Sequence, residues 1–411
     1  MKESGIDWIG QIPEEWEVSR LKYFFDIYAG GDIDERNTVD EYSENHPYPV
    51  ISNSLENEGI LGYTNNFRFQ GDSVTVTGRG DVGKAVYRNI KFYPVVRLLV
   101  CIPKKQVDCR FVTYWINSAI IEKNQTAVSQ LTIQMLGELI FTKVPYVEQK
   151  KIADFLDKKT AQLDKVKALL EEQIQKLKDY SASLIYETVT KGLDKNALMK
   201  DSGVDWIGQV PEGWGVKPLK YLIKFKNGYA FDSKHLTMEQ TGVKVIRIGD
   251  FKSSGIDFNA ALNVFTSFNS KLDFYRIRKS QILIAMSGAT VGKISFVNQE
   301  PNVYSVINQR VGIIESEINK WIYYCLSTDS FTSYIQLNSN GSAQPNISSS
   351  EISDFKVGIP DDVVIQKCVK YLDKQLESIN KLIQIKNQQI ENINKQRQSL
   401  IYDYVTGKRR V

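Results

Sequence analysis

Imidazole is scarce in this chain: two histidines, His46 and His235, in 411 residues. No H-E-x-x-H run or clustered Cys/His set offers the ligands a transition metal wants, and with two histidines lying in different halves no Ser, His and Asp set can be argued. The four cysteines, Cys101, Cys109, Cys325 and Cys368, form no C-x-x-C pair, which argues against a zinc knuckle or a disulfide framework. No apolar run approaches the roughly 18 residues of a membrane span. The opening MKESGIDWIG lacks the apolar core of a secretion signal, so the expectation is a cytoplasmic protein with no membrane partner. Proline (11) and glycine (26) are too few for a collagen-like or low-complexity chain. Methyl transfer would call for N-P-P-[FYW] or D-P-P-[FYW], and neither occurs. A nuclease would call for an acid before the lysine of an E-x-K, which PDDVVIQK at 360–367 lacks. Asp157 with Lys159 makes a D-x-K, but on a heptad helix that spacing is commonplace. Nothing in the sequence supports catalysis.

What is present is local charge. The net charge of +4 is modest. Within 68–110, however, nine basic residues (Arg68, Arg79, Lys84, Arg88, Lys91, Arg97, Lys104, Lys105, Arg110) face three acidic ones. Within 217–252 eight basic residues face three. Phosphate binding depends on such local concentration more than on overall pI. A solvated face is the plain alternative.

The chain is also written twice. SGIDWIGQIPEEWEVSRLKY at 4–23 recurs as SGVDWIGQVPEGWGVKPLKY at 202–221, matching Gly5, Asp7, Trp8, Gly10, Pro13, Trp16 and Lys22 with Gly203, Asp205, Trp206, Gly208, Pro211, Trp214 and Lys220. DSVTVTGRGDVGK at 72–84 echoes SQILIAMSGATVGK at 280–293, and VSQLTIQMLGELIFTKVP at 128–145 echoes SAQPNISSSEISDFKVGIP at 342–360. A fourth echo joins 146–190 to 361–406, ending in LIYETVT and LIYDYVT. A period near 200 residues is a whole domain plus a connector, not a solenoid repeat. The chain therefore divides into a first globular domain (1–145), a helix and linker (146–200), a second globular domain (201–360) and a last helix (361–411).

Short apolar runs (74–77, 95–102, 243–248, 281–286, 309–314) among turns and helical stretches (111–123, 319–335) read as α+β. Leu156, Leu163, Leu170, Leu177 and Leu184 recur every seven residues, with Val166 and Tyr180 at the intervening positions. Leu372, Leu376, Ile379, Ile383, Ile390, Ile393, Leu400 and Tyr404 form a second stripe, interrupted by Lys386 and Arg397. Helices of about 38 residues, roughly 57 Å, must bury such a stripe against a partner. The expected architecture is two pseudo-symmetric mixed domains at the ends of two long antiparallel coiled-coil helices.

GRGDVGKA at 78–85 fits G-x-G-x-x-G, but Ala85 stands where a phosphate loop needs a hydroxyl. A tight turn after a strand remains, either a plain hairpin or a place where backbone and Lys84 or Lys293 approach a phosphate.

Together the duplicated S-G-[IV]-D-W-I-G-Q-[IV]-P-E-x-W opening, the strand with its glycine turn and V-G-K, the x-Q-x-x-I segments (Gln130, Gln344) and EQKKIADFLDKKT before a long helix resemble type I restriction-modification specificity subunits over essentially the whole chain. One departure is VVIQK where the first copy has Glu148-Gln149. The resemblance implies a noncatalytic subunit with two target-recognition domains reading the halves of a bipartite double-stranded DNA site. It also implies spacer helices that dock two methyltransferase subunits, which carry S-adenosylmethionine, and a restriction and translocase subunit that joins them. This chain would bind no cofactor itself. Major-groove readout uses Arg or Lys to guanine and Asn or Gln to adenine. The candidate DNA contacts are Asn53, Arg79, Lys84 and Arg88 in the first domain, and Arg247, Lys252, Lys293 and Arg310 in the second. Polar turns at 51–59 and 248–255 would present such groups. The alternative is a coiled-coil scaffold that binds proteins only. An insertion near Thr190 to Leu198 would be expected to change the gap between half-sites.

Overall fold

A computed structural model describes residues 1–123, 130–239, 242–252, 255–256, 258, 265–339 and 345–411. The chain forms two compact units, one of residues 1–171 with 386–411 and one of residues 172–385. Each unit takes part of both long helices.

The first unit is centred on an antiparallel sheet in the order Phe25–Ala29, Leu98–Pro103, Ser73–Thr77, Ala85–Arg88. The middle strand SVTVT is buried throughout, as its β-branched residues favour. A second sheet pairs Tyr93–Pro94 parallel with Tyr48–Ile51, followed by Ile60–Thr64 and Thr38–Val39. Glu17–Arg20 and Ile140–Lys143 form a ribbon, and the helix Cys109–Lys123 packs on the central sheet.

The second unit repeats this plan. Its central sheet runs Lys224–Asn227, Val311–Glu315, Ile282–Ala285, Ile294–Phe296, all antiparallel. Val243–Ile246 pairs parallel with Ser305–Ile307, and Gly215–Pro218 with Lys356–Ile359 forms the ribbon. The fold is α+β in two similar units.

Three expected elements differ in detail. The run 95–102 is broken, because Arg97 adopts φ +71° and the strand begins only at Leu98. The stretch 319–335 is two helices, Asn319–Leu326 and Asp329–Ser339, parted at Ser327–Thr328. The late echo shifts by two residues: Thr132 and Ser348 cap the helices that follow them, which sets Gln130 opposite Asn346. Gln344 lies outside the described residues.

The long helices span Tyr146–Lys191 (46 residues) and Asp362–Val405 (44 residues), longer than the expected 38 or so. In the first, Leu156 and Leu184 are buried and Leu163, Leu170 and Leu177 half-buried. The companion row is not the expected one. Val166 and Tyr180 are 46% and 53% exposed, and the inward positions lie four residues after each leucine. There Thr160, Ile174 and Thr188 are buried, and Lys167 and Ser181 half-buried. In the second helix Leu372 and Ile379 are buried, while Leu376, Ile383, Ile390 and Ile393 are half-buried, as are Lys386 and Arg397 in the same stripe. Within the first unit the helices run antiparallel: Phe155 meets Tyr404 at 4.6 Å between ring centroids, and Arg397 forms an ion pair with Asp164 at 3.4 Å.

Both helices end alike. Gly192 and Gly407 adopt φ +72° and +75°, the left-handed close that glycine supplies at a helix C-terminus. Gly192 lies against Trp214, and Gly407 against Pro13 and Trp16. Tyr186 donates to the Trp206 carbonyl at 3.1 Å, and Tyr402 to that of Trp8 at 2.8 Å. The echo LIYETVT/LIYDYVT is thus a docking device: a helix that begins in one unit ends on the duplicated tryptophan segment of the other.

Candidate nucleic-acid interface

In each unit four segments converge at one end of the central sheet. In the first unit the glycine turn 78–84 is a hairpin, closed by Thr77 N–H to the Lys84 carbonyl at 3.0 Å and Gly83 N–H to the Thr77 carbonyl at 2.7 Å. Asn53 braces it from the neighbouring loop. Its side-chain oxygen accepts Gly78 N–H at 3.0 Å, and its amide donates to the Val96 carbonyl at 3.2 Å. Leu131 N–H reaches the Gly78 carbonyl at 3.0 Å. A Cβ at Gly78 would overlap the Arg97 carbonyl, so glycine is required for that close approach.

The second unit is built the same way. Ala285 N–H bonds the Lys293 carbonyl at 2.9 Å, Ile347 N–H the Met286 carbonyl at 3.0 Å, and Met286 N–H the Arg310 carbonyl at 2.9 Å. Thr290 ties the turn to the Ile248 carbonyl at 3.2 Å. The bond from Val95 N–H to the Ile51 carbonyl in the first unit matches that from Asn308 N–H to the Ile246 carbonyl in the second, each 2.9 Å. Arg247 therefore occupies the place of Ser52, and Arg310 that of Arg97.

Of the candidate side chains, Arg79 is exposed on the rim, and Asn53 is half-buried, committed at both ends of its amide to bracing the turn. Arg88 leaves the exposed set. It is 6% exposed, donates through Nε to Thr75 Oγ1 at 3.1 Å, and burial lowers its pKa. Lys84 lines a cavity of about 1060 Å³ with Arg110, Tyr114, Asn117, Arg397 and Tyr402. In the second unit Arg310, Lys252 and Lys293 are exposed and Arg247 half-buried; residues 253–254 of the expected 248–255 turn lie outside the described residues. Arg310 Nη1 donates to Asn346 Oδ1 at 3.3 Å.

Much of the expected basic face at 68–110 is occupied internally. Lys104 pairs with Asp26, and Arg110 with Asp108, Asp154 and Asp157. Arg68, Lys91 and Lys105 lie over the rings of Phe69, Phe67 and Phe24.

Sequence reasoning missed a clamp that seats the long helices. Tyr114 donates to Asp157 at 2.8 Å beside Arg110, and burial, followed by this bond, pushes the phenol up to about 12. In the second unit Tyr324 donates to Asp373 beside Lys320, with the Lys320–Asp373 contact at 3.3 Å. The F-L-D and Y-L-D tripeptides at 155–157 and 371–373 were the available signal. The divergent helix starts are also built. Glu148 accepts Trp16 Nε1 at 3.0 Å, and Gln149 bridges Asp108 N–H and the Val144 carbonyl. In the second copy Asp361 caps Val364 N–H at 2.9 Å while Ile365 is buried among apolar groups.

The model of the type I restriction modification DNA specificity domain family matches residues 13–178 and 211–392. The chain belongs to that family. Each match takes in one glycine turn, its rim and part of the helix that follows, so the duplicated specificity domain coincides with the duplicated geometry. The type I restriction enzyme MjaVIII specificity subunit of Methanocaldococcus jannaschii is 24% identical over 420 residues, covering 98% of this chain and 94% of that protein. The putative type I specificity subunit S.MpnORF89P of Mycoplasma pneumoniae is 33% identical over 117 residues, 28% of this chain and 35% of that relative. The aligned stretch thus spans about a third of the Mycoplasma protein's length. A solved chain from work on complex assembly and conformational transition of the type I R-M system shares the fold at TM-score 0.69 and 13% identity, covering 96% of this chain and 98% of that one. Among the described residues of this specificity-domain chain, no helix is long and apolar enough to cross a membrane.

Proposed function

We propose that this chain is the noncatalytic DNA specificity subunit of a type I restriction-modification complex. Each unit reads one half of a bipartite double-stranded DNA site. The long helices set the gap between the halves and dock two methyltransferase subunits, which bring S-adenosylmethionine, and a restriction and translocase subunit joins for cleavage. A cytoplasmic address suits such a partner set. The observation that carries this reading is one scaffold built twice around rims with different side chains. The backbone bonds that close the turn and join the incoming segment repeat, while the Asn53 brace on Gly78 is replaced by the Arg310 carbonyl on Met286, Ser52 gives way to Arg247 and Arg79 has no basic counterpart at Gly288. Different side chains on one frame are what two unlike half-sites demand.

Methylome sequencing of cells with and without this gene tests the proposal. A bipartite methylated motif should vanish on deletion, and the purified chain should retard duplex DNA in a salt-sensitive manner only when reconstituted with methyltransferase subunits. A chain that assembles with partners but confers no DNA binding at any salt concentration would be a protein scaffold instead. Tight stoichiometric binding of S-adenosylmethionine to the isolated chain would contradict a noncatalytic role.

A further inference from the structure

We infer that Arg97 and Arg310 are a matched pair of base-reading residues, one per unit, each specifying a guanine in its own half-site. The inference rests on the DNA-reading function proposed above. Three observations carry it.

The first is position. Leu98 pairs with Thr77 in one central sheet and Val311 with Ala285 in the other, so each arginine immediately precedes the strand that flanks the glycine hairpin. The Arg97 carbonyl occupies the space that a Cβ at Gly78 would need, and the Arg310 carbonyl accepts Met286 N–H at 2.9 Å. The backbone at both sites is thus fixed by the turn itself, while both side chains are exposed.

The second is strain. Arg97 adopts φ +71°, a conformation that strains an L-residue and that glycine would enter freely. Surrounding structure over-determines the backbone here, and such strained positions cluster at functional sites. An arginine kept where glycine fits better is explained by its head group. Arg310 lies outside the left-handed region and is steadied instead through Asn346.

The third is availability. Lys104 and Arg110 are ion-paired and Arg88 is buried, whereas no carboxylate partner engages the Arg97 or Arg310 guanidinium among the described residues. A guanidinium free of carboxylate partners on a fixed stem matches the bidentate O6/N7 face of guanine in the major groove, the commonest specific arginine contact.

The test is selection from a library of duplexes with two randomised half-sites, using the chain assembled with its methyltransferase subunits. Arg97→Gly should leave thermal stability equal or higher, since glycine accepts the backbone. It should reduce preference for guanine at one position of one half-site by roughly tenfold or more, leaving the other half-site untouched. Arg310→Gly should do the same in the other half-site only. Unchanged preference in either variant would overturn the inference, as would an equal loss for all duplexes, the mark of a phosphate contact, or both variants altering the same half-site. If the wild-type assembly selects no bipartite sequence, the DNA-reading proposal falls, and this inference with it. A selective wild type with indifferent variants sinks this inference alone.

Discussion

The two units differ least where they hold the long helices and most where they face outward. Tyr114–Asp157–Arg110 and Tyr324–Asp373–Lys320 are the same clamp with one cation exchanged, and Gly192 on Trp214 repeats Gly407 on Trp16. Around the glycine turns little beyond the backbone bonds repeats. Seating a helix fixes the residues that do it, whereas a rim on the same frame is free to change what it presents.

The comparison would break most visibly through the helices. Four residues inserted in both, between Glu171 and Glu172 and between Ile385 and Lys386, add about 6 Å of rise and little more than one helical turn. The gap in the methylated motif should widen by about one or two base pairs at 3.4 Å each, with both half-sites retained. Methylome sequencing that returned the original gap would show that the helices do not set it.

The two helix ends should respond unequally to a single methyl group. At Gly407 a Cβ would meet both Pro13 and Trp16 at the left-handed close, so Gly407→Ala should cost about 2–4 kcal/mol of unit stability. At Gly192 the nearest Trp214 atom is 3.0 Å away, and about 1–2 kcal/mol is expected. Native-state hydrogen exchange resolves the two units, and equal losses would mean that the ends are not seated as described.

Smaller effects should separate the clamps. Arg110 keeps Asp108 and Asp154 if Asp157 is lost, while Asp373 is the carboxylate shared by Tyr324 and Lys320. Asp373→Asn should therefore destabilise its unit by about 1–2 kcal/mol and Asp157→Asn by about half that, the exposed ion pairs themselves contributing little. The reverse order in chemical denaturation would refute the assignment.

The smallest expected effect revises a sequence-based expectation. Lys191 is the last helical residue, and Gly192 has already turned the chain against Trp214. Residues inserted at 193–198 lengthen only the connector after the helix has docked. The methylated motif and its gap should stay as they were; a widened gap would restore the connector as part of the ruler.

Fold class, duplication and the presence of two long helices were legible because repeated motifs and heptads are read along the chain. The helix phase was not. A leucine row fits a companion at either three or four residues, and here the true companions include Thr160, Lys167, Ser181 and Thr188, which hydropathy does not mark as core. Nor was the fate of the cations. Arg88 and Arg79 look alike in composition, and only strand alternation and the hairpin's reach decide that one is buried and the other exposed. Arg97 was hidden inside what read as one continuous strand, because a left-handed arginine has no signature in hydropathy. The Tyr–Asp clamps join residues 43 and 49 apart in sequence.

The crossed helix ends also bear on the order in which the chain can finish folding as it is made. The second unit is one continuous stretch, 172–385, complete once Ile385 has emerged. The first unit begins earlier and closes later, since its apolar core includes Ile401 and Val405, delivered with the last segment, 386–411. During synthesis the N-terminal half must wait with an open seam while its successor closes, and long-range closure of this kind is slow and exposes apolar surface. On the ribosome, the domain written first is the one that matures last.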